Sequence, residues 1–597
     1  MSLTSKRFPD PVTKDEAALR RGEEHVAADA RGLNFFQIDR SFQDLLKIYL
    51  TADEYNHFWE HFVRLGKLAG GELDEWAHLC DQNVPVLHNR DRFGRDRQWI
   101  EYHPAYRAME NIGFYEFGIH ASAHRPILNW PTHVSPMVKF SLHYLFSQSE
   151  FGLMCPLAVT ELAAMLVLKY GSEELVEKYG KRMISLDPEE LLQGAQFMTE
   201  KAGGSDVGAN ELRAEYDGEN WLLYGEKFFC SNPDCGVAVL LARCEGDPEG
   251  TSGLTAFVVP RDLDNGERNH YQIMRLKNKM GSRSLASGEI RYEGAIAYIL
   301  GQPRQGIKIL LDQVNMSRLS HGMRAAATMR RALNESLVVG RTRHLFGRLA
   351  QEQPLFRRQL LQLMIPAEAA LSTSCYGADL LRRSEEGSNE AVQLLRIVTP
   401  MIKMRSNRDN MQACAKAIEI RGGNGVIEDW TNGRLLRDSF IPLLWEGTSV
   451  INAIDVVRRA IGLSKANVPL RAELHRLVDE AIQAPLEYRD RLNRLMDQAV
   501  DYAEAVAEAK NGEKYARLAT SKLYHALSAA LLTWEGSNIA EVTGDATRLL
   551  MSRFIVEHYL DPADSLTLPE NDSWEEEASR LLLDDIPIPS TTVHALL

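Results

Sequence analysis

Apolar residues recur at helical spacing through most of this chain, with one interruption. The helical period runs from Asp44 to about Lys181. Near Gln196 it gives way to short β-rich runs separated by Asp-Gly, Gly-Glu and Pro-Arg turn signals. After Gly306 the helical period returns and continues to a glycine-rich turn that starts at Gly422. The pattern predicts a helical region, a small antiparallel β-domain and a second helical region.

The last part of the chain differs from the rest in its charge. From Gly462 to the end it has 13 Lys and Arg against 23 Asp and Glu, with helical stretches such as Leu470 to Ile482. We therefore expect an appended acidic helical domain. The predicted organisation is an N-terminal helical domain (1–195), a β-domain (196–305), a second helical domain (306–461) and the appended domain (462–597), an α+β protein that is mostly α.

Length and composition restrict the class of protein. A chain of 597 residues is too long for one hydrophobic core, and 45% hydrophobic with 25% charged residues is ordinary for a globular protein. The seven cysteines form no Cys-x-x-Cys pair, which favours free thiols in a reducing compartment. No apolar run has the length of a membrane span and the N-terminus lacks a signal-peptide core, so we expect a cytoplasmic protein. A net charge of -14 disfavours broad attraction to nucleic acid.

The run Trp445-Glu446-Gly447-Thr448 is the most informative segment for function. A carboxylate between a bulky ring and a glycine is expected to be desolvated on one side and approachable on the other, as a general base requires. About twenty residues earlier, Gly422 to Gly425 offer backbone to phosphates. Together the two segments indicate a cofactor enzyme that removes a weakly acidic proton.

Other motifs are less specific when each is taken alone. No Gly-x-Gly-x-x-Gly follows a strand and opens a helix, which disfavours a Rossmann dehydrogenase. The run Thr199 to Asp206 has adjacent glycines and hydroxyls suited to an anion, although a tight strand connection explains the same composition. His57 and His61 match the His-x-x-Glu-His order of a zinc peptidase family, but an amphipathic helix with ordinary histidines is favoured and no metal site is expected.

Two further segments combine an aromatic ring with polar groups, and in the first of them this pair suits a flat heterocycle. Phe229 and Ser231 are two residues apart on a predicted strand, so both side chains are expected on one face of the sheet. Core packing explains the phenylalanines of this segment equally well. Arg343 and Phe346, with Gln353, would place a cation, a ring and an amide at a helix end, where the alternative is a solvated basic helix end.

Taken in order, these segments resemble the acyl-CoA dehydrogenase family, over roughly residues 75 to 460. Runs such as "MTEKAGGSDVGANELRAE", "RLKNKMGSRSLASGEI" and "LLWEGTS" resemble its alkylation-response (AidB) branch, as does the appended helical domain. The resemblance implies an N-terminal helical domain, an antiparallel β-barrel and a C-terminal four-helix bundle. It also implies bound FAD and a homotetramer, a dimer of dimers.

The resemblance implies a role for each matching position. Glu446 would be the catalytic base, because the alternative family position falls at Ser317, which cannot serve. Ser205, Arg318 and Gly447 would contact substrate. The positions expected at the cofactor are Met198, Thr199, Gly204, Ser205, Phe229, Ser231, Arg343, Phe346, Gln353, Glu419, Gly422, Gly423 and Thr448.

Three positions depart from the usual family pattern. Lys201 stands where many members have proline, a change shared with the AidB branch. Glu419 stands where they have glutamine facing the adenine end of the cofactor, and Arg421 where they have an apolar residue. We expect this extra charge pair to alter contacts to FAD from a neighbouring subunit, although residues two apart on a helix do not face each other.

The implied reaction is α,β-dehydrogenation of an acyl thioester such as an acyl-CoA, with Glu446 taking the α-proton and the β-hydrogen leaving as hydride to flavin. An electron-accepting flavoprotein is then a candidate partner. The alternative is a flavoprotein that binds DNA during alkylation stress, which the acidity of residues 462–597 disfavours. A third reading keeps FAD as a structural element without a physiological acyl-CoA.

Overall fold

The computed structural model describes residues 26–563, 573–584 and 586–597 of the chain. The N-terminal region is mainly helical, as predicted. Thr51 and Glu54 form a capping box at the start of its longest helix, α2, in which each side chain accepts from the other residue's backbone N–H. Its elements are α1 (Arg40–Tyr49), α2 (Ala52–Gly70), α3 (Glu72–Gln82), β1 (Val86–Arg90), β2 (Asp96–Glu101), α4 (Pro104–Glu110), α5 (Pro136–Ser147) and α6 (Met154–Tyr170).

The strands β1 and β2 form an antiparallel hairpin that the helical reading of this region missed. Asp91 stabilises its turn by accepting from the backbone N–H groups of Phe93 and Arg95 at 2.8 and 3.0 Å. The hairpin is anchored to the following β-domain, because Gln98 is buried and its Oε1 accepts from the backbone N–H of Ile273 at 2.7 Å. A strand covered on one face usually alternates apolar and polar residues, but one of the two buried positions of β2 is the polar Gln98, so that signal is absent.

The β-domain closes into a barrel. Its strands pair in the ring β6-β4-β5-β9-β7-β6, with β3 added beside β6 and β8 beside β9. Most pairs are antiparallel, but β3 and β4 run parallel to β6. The strands are β3 (Gly194–Phe197), β4 (Arg213–Tyr216), β5 (Trp221–Ser231), β6 (Val237–Cys244), β7 (Leu254–Pro260), β8 (Tyr271–Leu276) and β9 (Ser287–Leu300).

Strand β6 is buried on both faces, which explains its continuous apolar run. Ala238 and Leu240 pack into the barrel interior. Val239 and Leu241 pack on the outside against a second cluster that includes Leu166 of α6. A strand covered on both sides loses the alternation of polar and apolar residues.

Long helices follow the barrel. In the part of the chain that the structure describes, no helix is both long and apolar enough to cross a membrane. The elements are α7 (Gly306–Thr342), β10 (His344–Leu345), β11 (Arg348–Leu349), α8 (Pro354–Glu385), α9 (Asn389–Arg421), α10 (Thr431–Phe440), α11 (Ser449–Ile454), α12 (Asn467–Glu480), α13 (Leu486–Glu508), α14 (Ala516–Thr543), α15 (Thr547–Ile555), α16 (Ser573–Asp584) and α17 (Ser590–Leu596).

The chain divides into two compact units that do not follow sequence order. The barrel unit consists of Glu72–Ser135 and Glu150–Ser317. The helical unit consists of residues up to Gly71, Pro136–Ser149 and Arg318–Leu597. The four-domain division at residues 195, 305 and 461 stays a prediction.

A buried ionic network lies inside the helical unit and joins the appended helices to the rest of it. Arg548 of α15 binds Glu368 at 2.8 Å and Glu535 at 2.9 Å. Arg330 of α7 binds Glu368 at 2.7 Å and Asp39 at 3.1 Å. The network therefore has three carboxylates for two guanidinium groups, and this excess of carboxylates affects how the network titrates with pH.

Candidate functional site

The predicted base lies on a turn with unusual backbone geometry in the helical unit. Glu446 has φ of 51° and Gly447 has φ of 89°, so both are left-handed, a conformation that a non-glycine residue adopts only where its surroundings hold it. Thr448 caps α11. Asn452 is fully buried and its Nδ2 donates to the carbonyls of Gly447 and Thr448 at 2.8 and 3.0 Å. The turn is thus held from its C-terminal side.

The carboxylate of Glu446 is exposed, whereas we expected Trp445 to desolvate it on one side. Trp445 is half-buried and packs edge-on against the ring of His321, with centroids 6.3 Å apart. The indole therefore packs against helix α7 of its own unit. Any further burial of the carboxylate has to come from a bound molecule or another subunit.

Arg318, an expected substrate contact, is engaged within the protein. Its guanidinium is buried and binds Asp455 at 2.8 Å. Asp455 also binds Arg396 at 2.7 Å. Although burial opposes it, these two arginines hold the pKa of Asp455 below its usual value. This ion pair gives Arg318 a role in fixing the segment that follows the base, and its contact with substrate stays a prediction.

Five of the predicted cofactor residues lie close together in the helical unit: Arg343, Phe346, Gln353, Gly422 and Gly423. An added Cβ at Gly422 would lie 3.0 Å from the Arg343 guanidinium, and Gly423 has no atom within 4 Å of its added Cβ. Gln353 donates to the carbonyl of Leu345 at 3.0 Å. The structure thereby places the glycine turn, the arginine and the β10–β11 hairpin beside one another.

The tip of the β10–β11 hairpin carries the most exposed large apolar side chain among the described residues. Phe346 is 96% exposed. It has φ of 54° and Gly347 has φ of 84°, which is the geometry of a two-residue turn that suits the strand twist. An aromatic ring displayed in this way is typical of a contact with another molecule.

In the barrel unit, a buried ion pair holds the Thr199–Asp206 loop against β5. Lys227 binds Glu200 at 2.5 Å, and both side chains are buried. The same carboxylate accepts from the backbone N–H of Glu211 and Leu212. Burial lowers the pKa of Lys227, and Glu200 opposes that shift. Sequence reasoning missed this pair, which fixes the loop beside the strand.

The predicted aromatic and hydroxyl do lie outside the barrel core on β5. Cys230 is fully buried, whereas Phe229 is 53% exposed and Ser231 is half-buried. Alternation therefore places Phe229 and Ser231 on the outer face. The Lys277 ammonium lies 4.3 Å from the Phe229 ring centroid and adds a cation that was not predicted. The basic run "RLKNK" was the available sequence signal.

Family models match most of the chain between Val26 and Ile461. Residues 26–187 match the AidB N-terminal domain, 195–295 the acyl-CoA dehydrogenase middle domain, and 304–461 the acyl-CoA dehydrogenase C-terminal domain. The putative acyl-CoA dehydrogenase AidB of Escherichia coli (strain K12) is 30% identical over 66% of this chain and 72% of its own length. The chain belongs to the acyl-CoA dehydrogenase family. Both the predicted family and its AidB branch are confirmed.

Other members of the acyl-CoA dehydrogenase family are similar over comparable lengths. Acyl-CoA dehydrogenase family member 11 of Caenorhabditis elegans is 28% identical over 71% of this chain and 70% of its own length. The crystal structure of Caenorhabditis elegans ACDH-11 in complex with C11-CoA has a TM-score of 0.81 at 25% identity, covering 94% of this chain and 95% of that chain. The acyl-CoA dehydrogenase fold with a β-rich middle domain is therefore confirmed, and the chain is an oxidoreductase of the CH–CH class.

One departure from the acyl-CoA dehydrogenase pattern has a different consequence from the one expected. Arg421 is buried, binds Glu335 at 2.6 Å and donates to Asn432 at 2.8 Å. Glu419 is exposed and does not share this network. The prediction that Arg421 adds a charge toward the cofactor is therefore wrong. The position is usually apolar in the family, and here it is buried and holds an ion pair.

Proposed function

We propose that this protein is an FAD-dependent enzyme that α,β-dehydrogenates an acyl thioester, with Glu446 as the general base. The observation that carries the proposal is the strained turn, since it costs free energy to hold a glutamate at φ of 51°. Such strain persists where it serves a purpose, and here it presents an exposed carboxylate on a fixed backbone. Membership of the acyl-CoA dehydrogenase family supports the reaction class.

In this proposal the chain supplies the base and its orientation. Glu446 takes the α-proton of the acyl group, and its backbone N–H donates to the thioester carbonyl as negative charge develops there. Such a preorganised donor is commonly worth about 3 kcal/mol. Asn452 keeps the turn from relaxing, because it binds both carbonyls that follow the base.

The residues present fit FAD. In the barrel unit, Phe229 offers an exposed ring with Ser231 beside it, and an added Cβ at Gly204 would meet only the Thr199 methyl, at 3.5 Å. Met198, Thr199, Gly204 and Ser205 would hold the flavin side in this proposal. When bound, FAD would accept the β-hydrogen as hydride.

The remaining cofactor contacts would come from the helical unit of another subunit in a homotetramer. Phe346 and Gly423 are open to such a contact, and Arg343 lies beside Gly422. Gln353 and Glu419 complete this set, whereas Thr448 would touch the cofactor beside the base. We also propose a cytoplasmic location and an electron-accepting flavoprotein as the partner that reoxidises the cofactor.

An acyl-CoA is the proposed form of the thioester. The similar Caenorhabditis elegans structure holds C11-CoA, which supports a CoA thioester as the class to test first. Gly447, which follows the base, and Ser205, on the barrel loop, are the remaining proposed substrate contacts.

The decisive experiment is anaerobic reduction of the bound flavin by a panel of acyl-CoA thioesters. We expect bleaching by one acyl class in the unaltered protein and none in the Glu446→Gln variant, which should stay yellow. Glu428→Gln is the matched control, because it neutralises an exposed carboxylate paired with Arg437 in the same unit. Flavin reduction retained by Glu446→Gln would remove Glu446 from the mechanism. A flavin that no thioester bleaches would favour a structural cofactor.

DNA binding with little dehydrogenase turnover is a second candidate function. The observation that favours it is the exposed face of the β1–β2 hairpin, where Arg92 and Arg95 lie within 4.9 Å of the Phe93 ring and Arg97 lies 5.9 Å from that of Trp99. Cations next to exposed aromatic rings suit a single strand. The excess of acidic residues in 462–597 disfavours such binding.

A gel-shift titration with a single-stranded oligonucleotide at low and moderate salt tests this role. Phosphate contacts give an affinity that falls steeply with salt, and Arg92→Ala with Arg97→Ala should weaken it. Arg580→Ala in the appended domain is the control. Absence of binding at low salt would reject DNA binding.

A further inference from the structure

Lys403 is a buried lysine of the helical unit, and it has no role in the proposed reaction as described above. It lies on α9 and is 2% exposed. Its ammonium donates to the carbonyl of Pro442. Pro442 belongs to the short turn Ile441–Leu443, which leads directly into Trp445 and the base. The lysine therefore holds the chain on the N-terminal side of Glu446.

The base is thereby fixed from two sides by buried side chains. Lys403 binds the backbone four residues before Glu446, and Asn452 binds the carbonyls of the two residues after it. A non-glycine residue keeps a left-handed backbone conformation only where several surrounding contacts hold it there. Removing either tether should let the carboxylate move.

Besides holding the backbone before Glu446, Lys403 interacts with the charged groups around it. Burial lowers the pKa of Lys403 to about 7. Arg318 and Arg324 of α7 contribute to this lowering. The negative charge of Glu446 opposes the shift, so the lysine and the base interact electrostatically.

Other charged or ionisable groups also lie near this site. Arg318 is bound to Asp455. The ring of His143 on α5 is neutral, because burial and the cations Lys139 and Arg324 lower its pKa well below the usual value. His321 packs against Trp445. Near neutral pH, Lys403 is a neighbour of Glu446 whose charge changes.

We propose that Lys403 is a positioning residue for the base, which fixes the turn through the Pro442 carbonyl and sets the charge beside the Glu446 carboxylate. The inference rests on the proposed role of Glu446. The ammonium of Lys403 and the carboxylate of Glu446 attract each other, and this attraction is lost when Lys403 loses its proton. The rate of α-proton removal should therefore rise as the pH increases through about 7.

The test compares Lys403→Met, Lys403→Arg and, as control, Lys416→Met on the same helix. The measurements are flavin reduction by an acyl-CoA and exchange of the α-hydrogen in D2O, both against pH, with the melting temperature as a check on folding. The unaltered protein and the control should show a rise near pH 7. Both Lys403 variants should lose that rise, since neither methionine nor arginine titrates there, and kcat should fall about tenfold while KM changes little.

Each outcome decides the matter. If either Lys403 variant keeps the rise near pH 7 with an unaltered kcat, the proposal is overturned. Should Lys403→Met fail to fold, Lys403→Arg, which keeps a donor and a charge, carries the comparison alone. Glu446→Gln distinguishes failure of the proposed function from failure of the role of Lys403. If that variant retains α-hydrogen exchange, the proposed function itself is overturned. If Glu446→Gln loses exchange but the Lys403 variants behave like the unaltered protein, only the role of the lysine is overturned.

Discussion

Two adjacent glycines in the Thr199–Asp206 loop have different requirements. A Cβ added at Gly203 would lie 2.6 Å from both the Asn210 amide oxygen and the Asp206 carbonyl. A Cβ added at Gly204 would meet only the Thr199 methyl, at 3.5 Å. The first glycine is required by packing within the loop, whereas the second is free to serve a ligand.

We therefore expect Gly203→Ala to destabilise the protein by about 1–3 kcal/mol through overcrowding, and Gly204→Ala to leave the stability of the cofactor-free protein unchanged. Thermal unfolding of the cofactor-free variants measures the difference. Equal melting temperatures for the two variants would contradict it.

Single positions also show the limits of sequence reasoning. Glu446 and Gly447 were chosen as candidates from their order in the chain, but the left-handed backbone and the hydrogen bonds from Asn452 were not predicted. Arg421 looked like a charge toward the cofactor and is instead paired with Glu335, 86 positions earlier. A partner so distant in sequence leaves no local signal.

The loop beside β5 depends on one buried ion pair. Lys227 and Glu200 are 27 residues apart and meet only because the loop folds back along the strand. Removing one partner leaves an uncompensated charge, at a cost of about 3–5 kcal/mol. We expect Lys227→Met to lower the free energy of unfolding by this amount, as measured by urea denaturation.

The exposed pair Lys201–Glu226 provides the comparison for that variant, since Lys201→Met should cost less than about 1 kcal/mol. Similar losses for the two lysine variants would show that the buried pair does not hold the loop.

The ionic network between α7, α8, α14 and α15 should make stability depend on pH. Burial raises the pKa of Asp39 and of Glu535, and neighbouring arginines only partly offset it. A carboxyl group with a raised pKa in the folded state contributes stability that is present below its unfolded pKa, about 4.3 for Glu, and is lost as the pH rises through the folded value.

Glu535→Gln, which resembles the protonated acid, should therefore gain stability relative to the unaltered protein as the pH rises above about 4.3. Urea denaturation of both proteins at several pH values from about 5 to about 8 measures this. A difference in unfolding free energy that stays constant with pH would show that Glu535 does not titrate in this window.

Among the elements, the long apolar strands and helices were predicted well. Short β-rich runs were expected after Gln196, and the strands of the β-domain run from Gly194 to Leu300. The β1–β2 hairpin and the parallel pairs of β6 were not predicted. Strand partners are chosen by long-range packing, for which periodicity along the chain has no signal.

For the whole molecule, the role proposed for Phe346 connects cofactor binding to assembly. A ring that is 96% exposed contributes little to the stability of its own chain. If it contacts FAD in a neighbouring subunit, Phe346→Ser should lower the FAD content and the proportion of tetramer, with an unchanged melting temperature of the cofactor-free chain. Light scattering and the flavin-to-protein absorbance ratio measure these quantities.

Phe93→Ser is the matched control, because Phe93 is also exposed but lies at the tip of the β1–β2 hairpin in the barrel unit. Equal flavin content and molar mass in Phe346→Ser and Phe93→Ser would exclude Phe346 from a subunit contact.

The order of elements, the family and the identity of the proposed base were readable from the chain, because helical period, turn residues and motif order are local properties of a sequence. The sequence did not predict that one compact unit combines residues up to Gly71, Pro136–Ser149 and Arg318–Leu597. It also did not predict the hydrogen bonds by which Lys403 and Asn452 hold the backbone. These depend on contacts between segments far apart in the chain. Only packing of the folded protein decides which distant side chains are buried together and share their charge.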